Sequence, residues 1–243
     1  MSSLFLTETL GDHVAGDVVT LDGREAHHAS VNRLRTGEAV LLGDGRGTLA
    51  EATVEESNPA RIRLRIGESR FTPRPTPEIW LAQALAKGDR DELAVQAATE
   101  VGVSGVIPVQ AARSVSRWSG PKLDKGVARW ESIVREASKQ AIRPWVPDVA
   151  APVAPADLVS PRDRVLVLDP RADTRLADAV GDTPRGVARI VLAIGPEGGF
   201  APEEIDRLTA AGAVPVVLGD TVLRTSTAGP AAIAVANVVL GRW

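Results

Sequence analysis

Along residues 1–70 the apolar positions fall in short runs: Leu4–Leu6, Val18–Leu21, Val40–Leu42, Leu49–Val54 and Ile62–Ile66. Within Arg61-Ile62-Arg63-Leu64-Arg65-Ile66, charged and apolar residues alternate strictly, the period of a strand with one wet and one buried face. Asp44-Gly45-Arg46-Gly47 separates two such runs and predicts a hairpin, because Gly45 accepts positive φ. One helical stretch, Gly23–Arg35, interrupts the strands, and small β-barrels with one helix fit this pattern. Thr72-Pro73-Arg74-Pro75-Thr76-Pro77 then fixes φ at three positions and removes three donors. It predicts a stiff linker, with one domain over residues 1–72 and a second over residues 73–243.

Beyond the linker the rhythm changes to strand followed by helix. Glu78–Leu85, Val106–Val109, Arg164–Leu168, Ile190–Ile194 and Val214–Leu218 predict strands, several of them continuously apolar as in a parallel sheet covered on both faces. Asp89–Val101, Pro121–Ile142, Pro202–Ala211 and Ala228–Leu240 predict helices, the third starting with proline and two acids and ending before Gly212. Alternating elements of this kind imply a mostly parallel α/β sheet.

Composition narrows the chemistry. The chain has 243 residues and no cysteine, which excludes disulfides, zinc–thiolate sites and cysteine nucleophiles. Its three histidines, His13, His27 and His28, make a metal site an unpromising reading, and none is expected. The N-terminus lacks the basic and apolar regions of a signal peptide, and no stretch is long enough to span a membrane, so a cytoplasmic protein is expected. The formal net charge is −3. Yet residues 111–143 hold Arg113, Arg117, Lys122, Lys125, Arg129, Arg135, Lys139 and Arg143 against Asp124, Glu131 and Glu136. Such a cluster is either a solvated helix face or a surface that tracks phosphates.

In parallel α/β sheets, ligands bind at the carboxyl ends of strands. Two such ends carry unusual loops. Ile194-Gly195-Pro196-Glu197-Gly198-Gly199-Phe200 offers bare backbone to a ligand, or is simply a tight turn into a helix. Leu218-Gly219 through Leu223-Arg224-Thr225-Ser226-Thr227-Ala228 combines helix-capping hydroxyls with an arginine suited to an anion or carbonyl. Neither loop is a dinucleotide fingerprint or a Walker A sequence.

These two loops resemble the cofactor-binding signatures of the SPOUT methyltransferases, and among those the small-subunit rRNA uracil-N3 methyltransferases (the RsmE type). Further segments agree in order along nearly the whole chain: His27-His28 with Val31, Leu34 and Arg35; Lys87-Gly88-Asp89; Thr99 to Val103; Arg113-Ser114-Val115; and Trp130, Glu136-Ala137, Gln140, Arg143 and Pro147. Ser226 departs from the pattern, standing where the family often has glutamate. The resemblance implies an α/β protein with an N-terminal PUA-like β-barrel followed by a trefoil-knotted SPOUT domain with a mostly parallel sheet. It implies a homodimer that transfers methyl from S-adenosylmethionine to N3 of a uridine in 16S rRNA of the small ribosomal subunit, leaving S-adenosylhomocysteine.

The residues it implies for the cofactor are Ile194, Gly195, Pro196, Gly198, Leu218, Gly219, Leu223, Thr225, Ser226, Thr227 and Ala228. Arg224 is expected to stabilise the uracil anion, and Glu197 to accept a proton unless only its backbone faces the cofactor. For RNA, the candidates are His27, His28, Arg33, Arg35, Arg113, Arg117, Lys139 and Arg143, with Trp118 as a stacking platform. Two other readings stay open: a ribose 2′-O-methyltransferase of the same fold, and a non-catalytic RNA-binding module.

Overall fold

The computed structural model describes residues 3–31, 34–58 and 60–243. The chain forms two compact units, Met1–Arg74 with Ser138–Val146, and Pro75–Ala137 with Pro147–Trp243.

The N-terminal unit is built on β1 (Leu4–Leu6), β2 (Val18–Asp22), α1 (Gly23–Val31), β3 (Ala39–Gly43), β4 (Thr48–Ser57) and β5 (Arg61–Phe71). The strands form one sheet in the order β1-β3-β4-β5-β2, with β1 parallel to β3 and the other pairs antiparallel. The sheet is open, with β1 and β2 as its edges. Alternation in β5 does what it predicts: Ile62, Leu64 and Ile66 enter the core with Phe5, Val40, Leu42 and Val54, while Arg61, Arg63 and Arg65 point to water. Helix α1 is described over Gly23–Val31, and Arg35, the expected end of this stretch, lies outside the helix as an exposed residue.

The hairpin at Asp44–Gly47 forms as expected, closed by Asp44 Oδ1 accepting the N–H groups of Arg46 (2.6 Å) and Thr48 (2.9 Å). Its tip also receives a segment distant in sequence. Gly47 N–H donates to Pro144 O (2.9 Å), Val146 N–H donates to Gly45 O (3.0 Å), and the Trp145 indole N–H donates to Thr72 O (2.7 Å). This return explains why Ser138–Val146 belongs to the N-terminal unit rather than to the sequence around it.

The second unit contains β6 (Glu78–Ala84), α2 (Arg90–Glu100), β7 (Gly105–Val109), α3 (Pro121–Gln140, whose last residues belong to the first unit), β8 (Asp148–Val149), β9 (Asp163–Leu168), α4 (Leu176–Gly181), β10 (Arg189–Ile194), α5 (Pro202–Ala210), β11 (Val214–Val216) and α6 (Thr225–Val239). Its six strands are all parallel, in the order β11-β9-β10-β6-β7-β8. The continuous apolar run of β10 reflects its place between β6 and β9. One face of the sheet packs Trp80, Ala82, Val167 and Val191 with Phe200 and Leu208, the latter from α5. On the other face α6 lies so close that a Cβ on Gly229 would sit 2.9 Å from Leu81 Cδ1. The expected helices and strands are present, with α6 starting three residues earlier, at Thr225. Helix α4 and strand β8 were not expected, because six and two residues carry too little periodicity to read.

Gly47 sits at φ +111°, and a Cβ there would meet Phe71 Cε2 at 2.7 Å, Trp145 Cζ2 at 2.8 Å and Thr72 O at 2.9 Å. Gly47→Ala is therefore expected to lower stability by about 3 kcal/mol, combining overpacking with left-handed strain. Urea denaturation followed by tryptophan fluorescence measures it.

Candidate functional site

The carboxyl ends of β9, β10 and β11 open onto one cavity of about 410 Å³. Each end contributes a loop shaped by its own sequence. After β10, Pro196 O accepts the Gly199 N–H (2.8 Å) in a turn that needs Gly199 at φ +66°. The chain then doubles back so tightly that a Cβ on Gly195 would lie 2.8 Å from Phe200 N and 3.0 Å from Gly199 C. Backbone meets backbone there, and only glycine fits. Phe200 is buried behind the turn.

After β11, the chain runs through Leu218 and Gly219 to Arg224, the N-cap of α6, whose carbonyl accepts the N–H groups of Thr227 and Ala228 (both 2.9 Å). Thr225 is buried and leaves capping to the backbone. Its hydroxyl donates to Gly195 O (2.8 Å) and accepts from Gln83 Nε2 (2.9 Å). One side chain thus joins the ends of β6 and β10 to the start of α6.

After β9, the Asp169 N–H donates to Val216 O (2.9 Å). The Asp169 carboxylate accepts the Arg171 N–H (3.0 Å), Nε (3.0 Å) and Nη2 (2.8 Å). The Arg171 guanidinium outweighs desolvation and holds this carboxyl below its ordinary range.

Two anchors come from neighbouring loops. Arg113 Nη1 donates to Gly198 O (2.8 Å), and Glu204 accepts both the Ala112 N–H and the Ala201 N–H (2.8 Å each). Glu197 accepts the Lys87 N–H (3.0 Å) and Arg90 Nη1 (2.8 Å). Desolvation opposes ionisation at Glu197, but backbone N–H groups and Arg90 together hold its carboxyl below the usual value.

Nine of the expected cofactor residues line the cavity: Ile194, Gly195, Pro196, Gly198, Leu218, Gly219, Leu223, Thr225 and Ala228. Ser226 and Thr227 are not part of its lining; they lie in the first turn of α6. Arg224 and Glu197 also lie outside its lining. Arg224 is exposed between two lining residues, whereas the Glu197 side chain is turned to Lys87 and Arg90. Its carboxylate, held below its usual pKa by these donors, ties the loop after β10 to the segment around Lys87 and Arg90. The sequence reading missed Leu168-Asp169-Pro170-Arg171, Phe200, Ile205 and Val216, which also line the cavity. The available signal was the apolar run of β9, whose carboxyl end belongs with the other two.

The cavity has the chemistry of a pocket for a flat, largely apolar ligand with polar ends. Ile194, Phe200, Leu218 and Leu223 supply walls, and open space around the Gly219 Cα leaves its backbone accessible.

The expected RNA residues divide. His27, Arg35 and Arg117 are exposed, and Arg113 is exposed while anchored on Gly198 at the cavity. Lys139 is 4% exposed, with Nζ 3.5 Å from Glu25 Oε1 and 3.4 Å from His28 Nδ1. His28 is half-buried beside it and packs against Phe5 at 5.3 Å. Arg143 is half-buried, and burial with Arg74 nearby pushes its guanidinium down to about 10. Arg33 lies outside the described residues.

Thr225→Val keeps the shape of the side chain and removes a doubly used buried hydroxyl, so it is expected to cost about 2 kcal/mol. Chemical denaturation checks the stability, and calorimetric titration with S-adenosylmethionine checks the cavity, where weaker binding is expected.

An RNA methyltransferase PUA domain matches residues 21–67, and an RNA methyltransferase domain matches residues 72–237. The ribosomal RNA small subunit methyltransferase E of Mycobacterium bovis is 40% identical over 252 aligned residues, covering 100% of this chain and 94% of the relative. That of Bacillus subtilis is 30% identical, covering 86% and 85%. The crystal structure of the Neisseria gonorrhoeae ribosomal RNA small subunit methyltransferase E bound to S-adenosyl methionine superposes with a TM-score of 0.87 at 28% identity, covering 98% of both chains. With both domains in order and a relative of this name matching from end to end, the chain belongs to the ribosomal RNA small subunit methyltransferase E family.

Proposed function

We propose that the protein methylates N3 of a uridine in 16S rRNA of the small ribosomal subunit, using S-adenosylmethionine and leaving S-adenosylhomocysteine. The observation that carries this reading is the glycine-tied cavity at the ends of β9, β10 and β11, with Arg224 exposed at its rim.

The residues present fit that cofactor. Ile194, Phe200, Leu218 and Leu223 would flank the adenine, while Gly195, Gly198 and Gly219, which also line the cavity, would offer backbone groups to its polar edges. When bound, the cofactor supplies an electrophilic methyl on a sulfonium. Positioning is the main task left to the protein. The N3 proton would pass to water first, and N3 of the resulting uracil anion would then accept the methyl that the cofactor supplies. Arg224, fixed at the N-cap of α6, stabilises the negative charge that spreads over the uracil oxygens. Glu197 keeps the two loops together and takes no proton. A uridine in folded RNA must turn out of its stack to present N3.

The finer parts of the reading belong to the same proposal. His27, Arg35, Arg113 and Arg117 contact RNA. A homodimer is supported by exposed apolar side chains on Leu93, Val238, Val239 and Trp243. A trefoil knot is supported by the doubling back at Gly195–Phe200 against the start of α6. A cytoplasmic location fits a ribosomal substrate; no helix among the described residues is long and apolar enough to cross a membrane.

The test is transfer of labelled methyl from S-adenosylmethionine to small subunits from a strain lacking the enzyme, followed by mapping of the base. Label on uracil N3 at one site is expected; label on a ribose overturns the chemistry and favours the 2′-O reading. Arg224→Ala is expected to lower kcat about 100-fold, the usual cost of one charge-stabilising donor, with cofactor affinity preserved. The pH profile is a separate check. Glu197 has a depressed pKa, so it stays ionised through the neutral range, and its ties weaken only as the pH falls through that acidic value. The rate is therefore expected to rise from neutral to alkaline pH with the ionisation of the nucleobase, and Glu197→Gln should leave that rise in place.

A further inference from the structure

A second depression of about 490 Å³ lies in the catalytic unit, between the loop after β7 and the first half of α3. Its walls carry Arg117, Lys122, Lys125 and Arg129 against one acid, Glu92. That acid is taken by Arg129, which donates through Nε (3.0 Å) and Nη2 (2.7 Å). Among the described residues, Lys122 and Lys125 have no ion pair for their ammonium groups, so the groove carries uncompensated positive charge.

The groove is not only charged. Val115 in its wall is 72% exposed, a conspicuous apolar surface in a groove lined by four cations. Trp118 is half-buried and held in place from two sides. Its ring meets Trp130 edge-on at 5.4 Å and 77°, and lies so close to α3 that a Cβ on Gly126 would approach its Cδ2 to 2.4 Å. A glycine in the middle of a helix costs about 1 kcal/mol relative to alanine, and here it lets the indole lie against the helix backbone. The backbone N–H of Trp118 is fixed as well, donating to Gln110 Oε1 (3.0 Å). The result is an indole packed against a helix beside exposed cations.

The loop that supplies Val115 and Trp118 also supplies Arg113, which lines the first cavity and holds Gly198 O. Ala112, next to it, is tied to Glu204. The two depressions are therefore joined by one short anchored segment, and a polymer whose reacting base meets the cofactor held in the first would lay its flanking residues toward the second.

We propose that this groove holds the single-stranded RNA flanking the target uridine, with phosphates on Arg117, Lys122 and Lys125 and a neighbouring base against Trp118 and Val115. The proposal rests on the RNA methyltransferase reading and locates where the substrate is gripped outside the cofactor cavity. Charge complementarity selects a polyanion, and the ordered indole selects one with flat, stackable faces. It also divides the basic cluster of residues 111–143: Lys139, buried against Glu25, takes no part.

The experiment uses the full chain and a fluorescein-labelled single-stranded RNA oligonucleotide, with binding followed by anisotropy at several salt concentrations. Lys122→Ala/Lys125→Ala removes two exposed charges and is expected to fold normally. It should weaken RNA binding about tenfold at physiological salt and flatten the log K against log salt slope by about 1.4, at roughly 0.7 per single-strand phosphate contact. Trp118→Leu should weaken binding by about fivefold or more while leaving the salt slope unchanged, since stacking releases no counterions. Calorimetric titration of each variant with S-adenosylmethionine should match the native protein. Native-like RNA affinity and salt slope in the double lysine variant overturn the groove, as does a native protein that does not bind the oligonucleotide. The methylation reading is judged separately, by label transfer from the native protein to small subunits. A transfer-competent enzyme with an indifferent lysine variant loses only the groove.

Discussion

The structure depends on a backbone crossing that tolerates no side chain. At Gly195 the chain leaving the central strand passes against its own continuation at Gly199 and Phe200, at a separation a methyl group would close. That approach leaves Gly195 O where the Thr225 hydroxyl can reach it, and the same hydroxyl holds Gln83 at the end of the adjacent strand. Burial makes these bonds matter, because a buried donor or acceptor left alone loses its water without recompense. The cavity is the space left over once three strand ends have been fastened in this way, and its shape belongs to the backbone more than to the side chains that line it.

Much of this was legible along the chain. Strict alternation identified β5, and unbroken apolar runs identified β9 and β10 as strands covered on both faces. The glycine loops announced where the backbone must come close. What the chain could not display was direction. Glu197 stands in the middle of a ligand loop, yet its carboxylate reaches back to Lys87 and Arg90, residues more than a hundred positions earlier. Thr225 looks like a helix cap and serves instead as a tie between strands, leaving the cap position to Arg224. Helix α4 and strand β8 were too short to register as a pattern.

Charge was the least legible property. Eight cations within residues 111–143 form one cluster in sequence and several environments in space. Arg113 is committed to a carbonyl at the cavity, Arg129 to Glu92, and Lys139 to a buried carboxylate, while Lys122 and Lys125 stand in the groove. A cation in a helix can cover apolar surface, balance a hidden acid or face solvent. The choice depends on which unit the residue joins, and the units change over between Ala137 and Ser138.

That changeover affects how the protein is made. The N-terminal unit draws Ser138–Val146 onto its hairpin tip, where Trp145 reaches Thr72 and Lys139 reaches Glu25. A nascent chain emerges from the ribosome in order, so the first 74 residues appear well before the strip that completes them. Until residue 146 is out, the early sheet lacks that strip and Glu25 lacks its lysine. The unit at the front of the sequence therefore finishes assembling only after more than half of the protein has been translated.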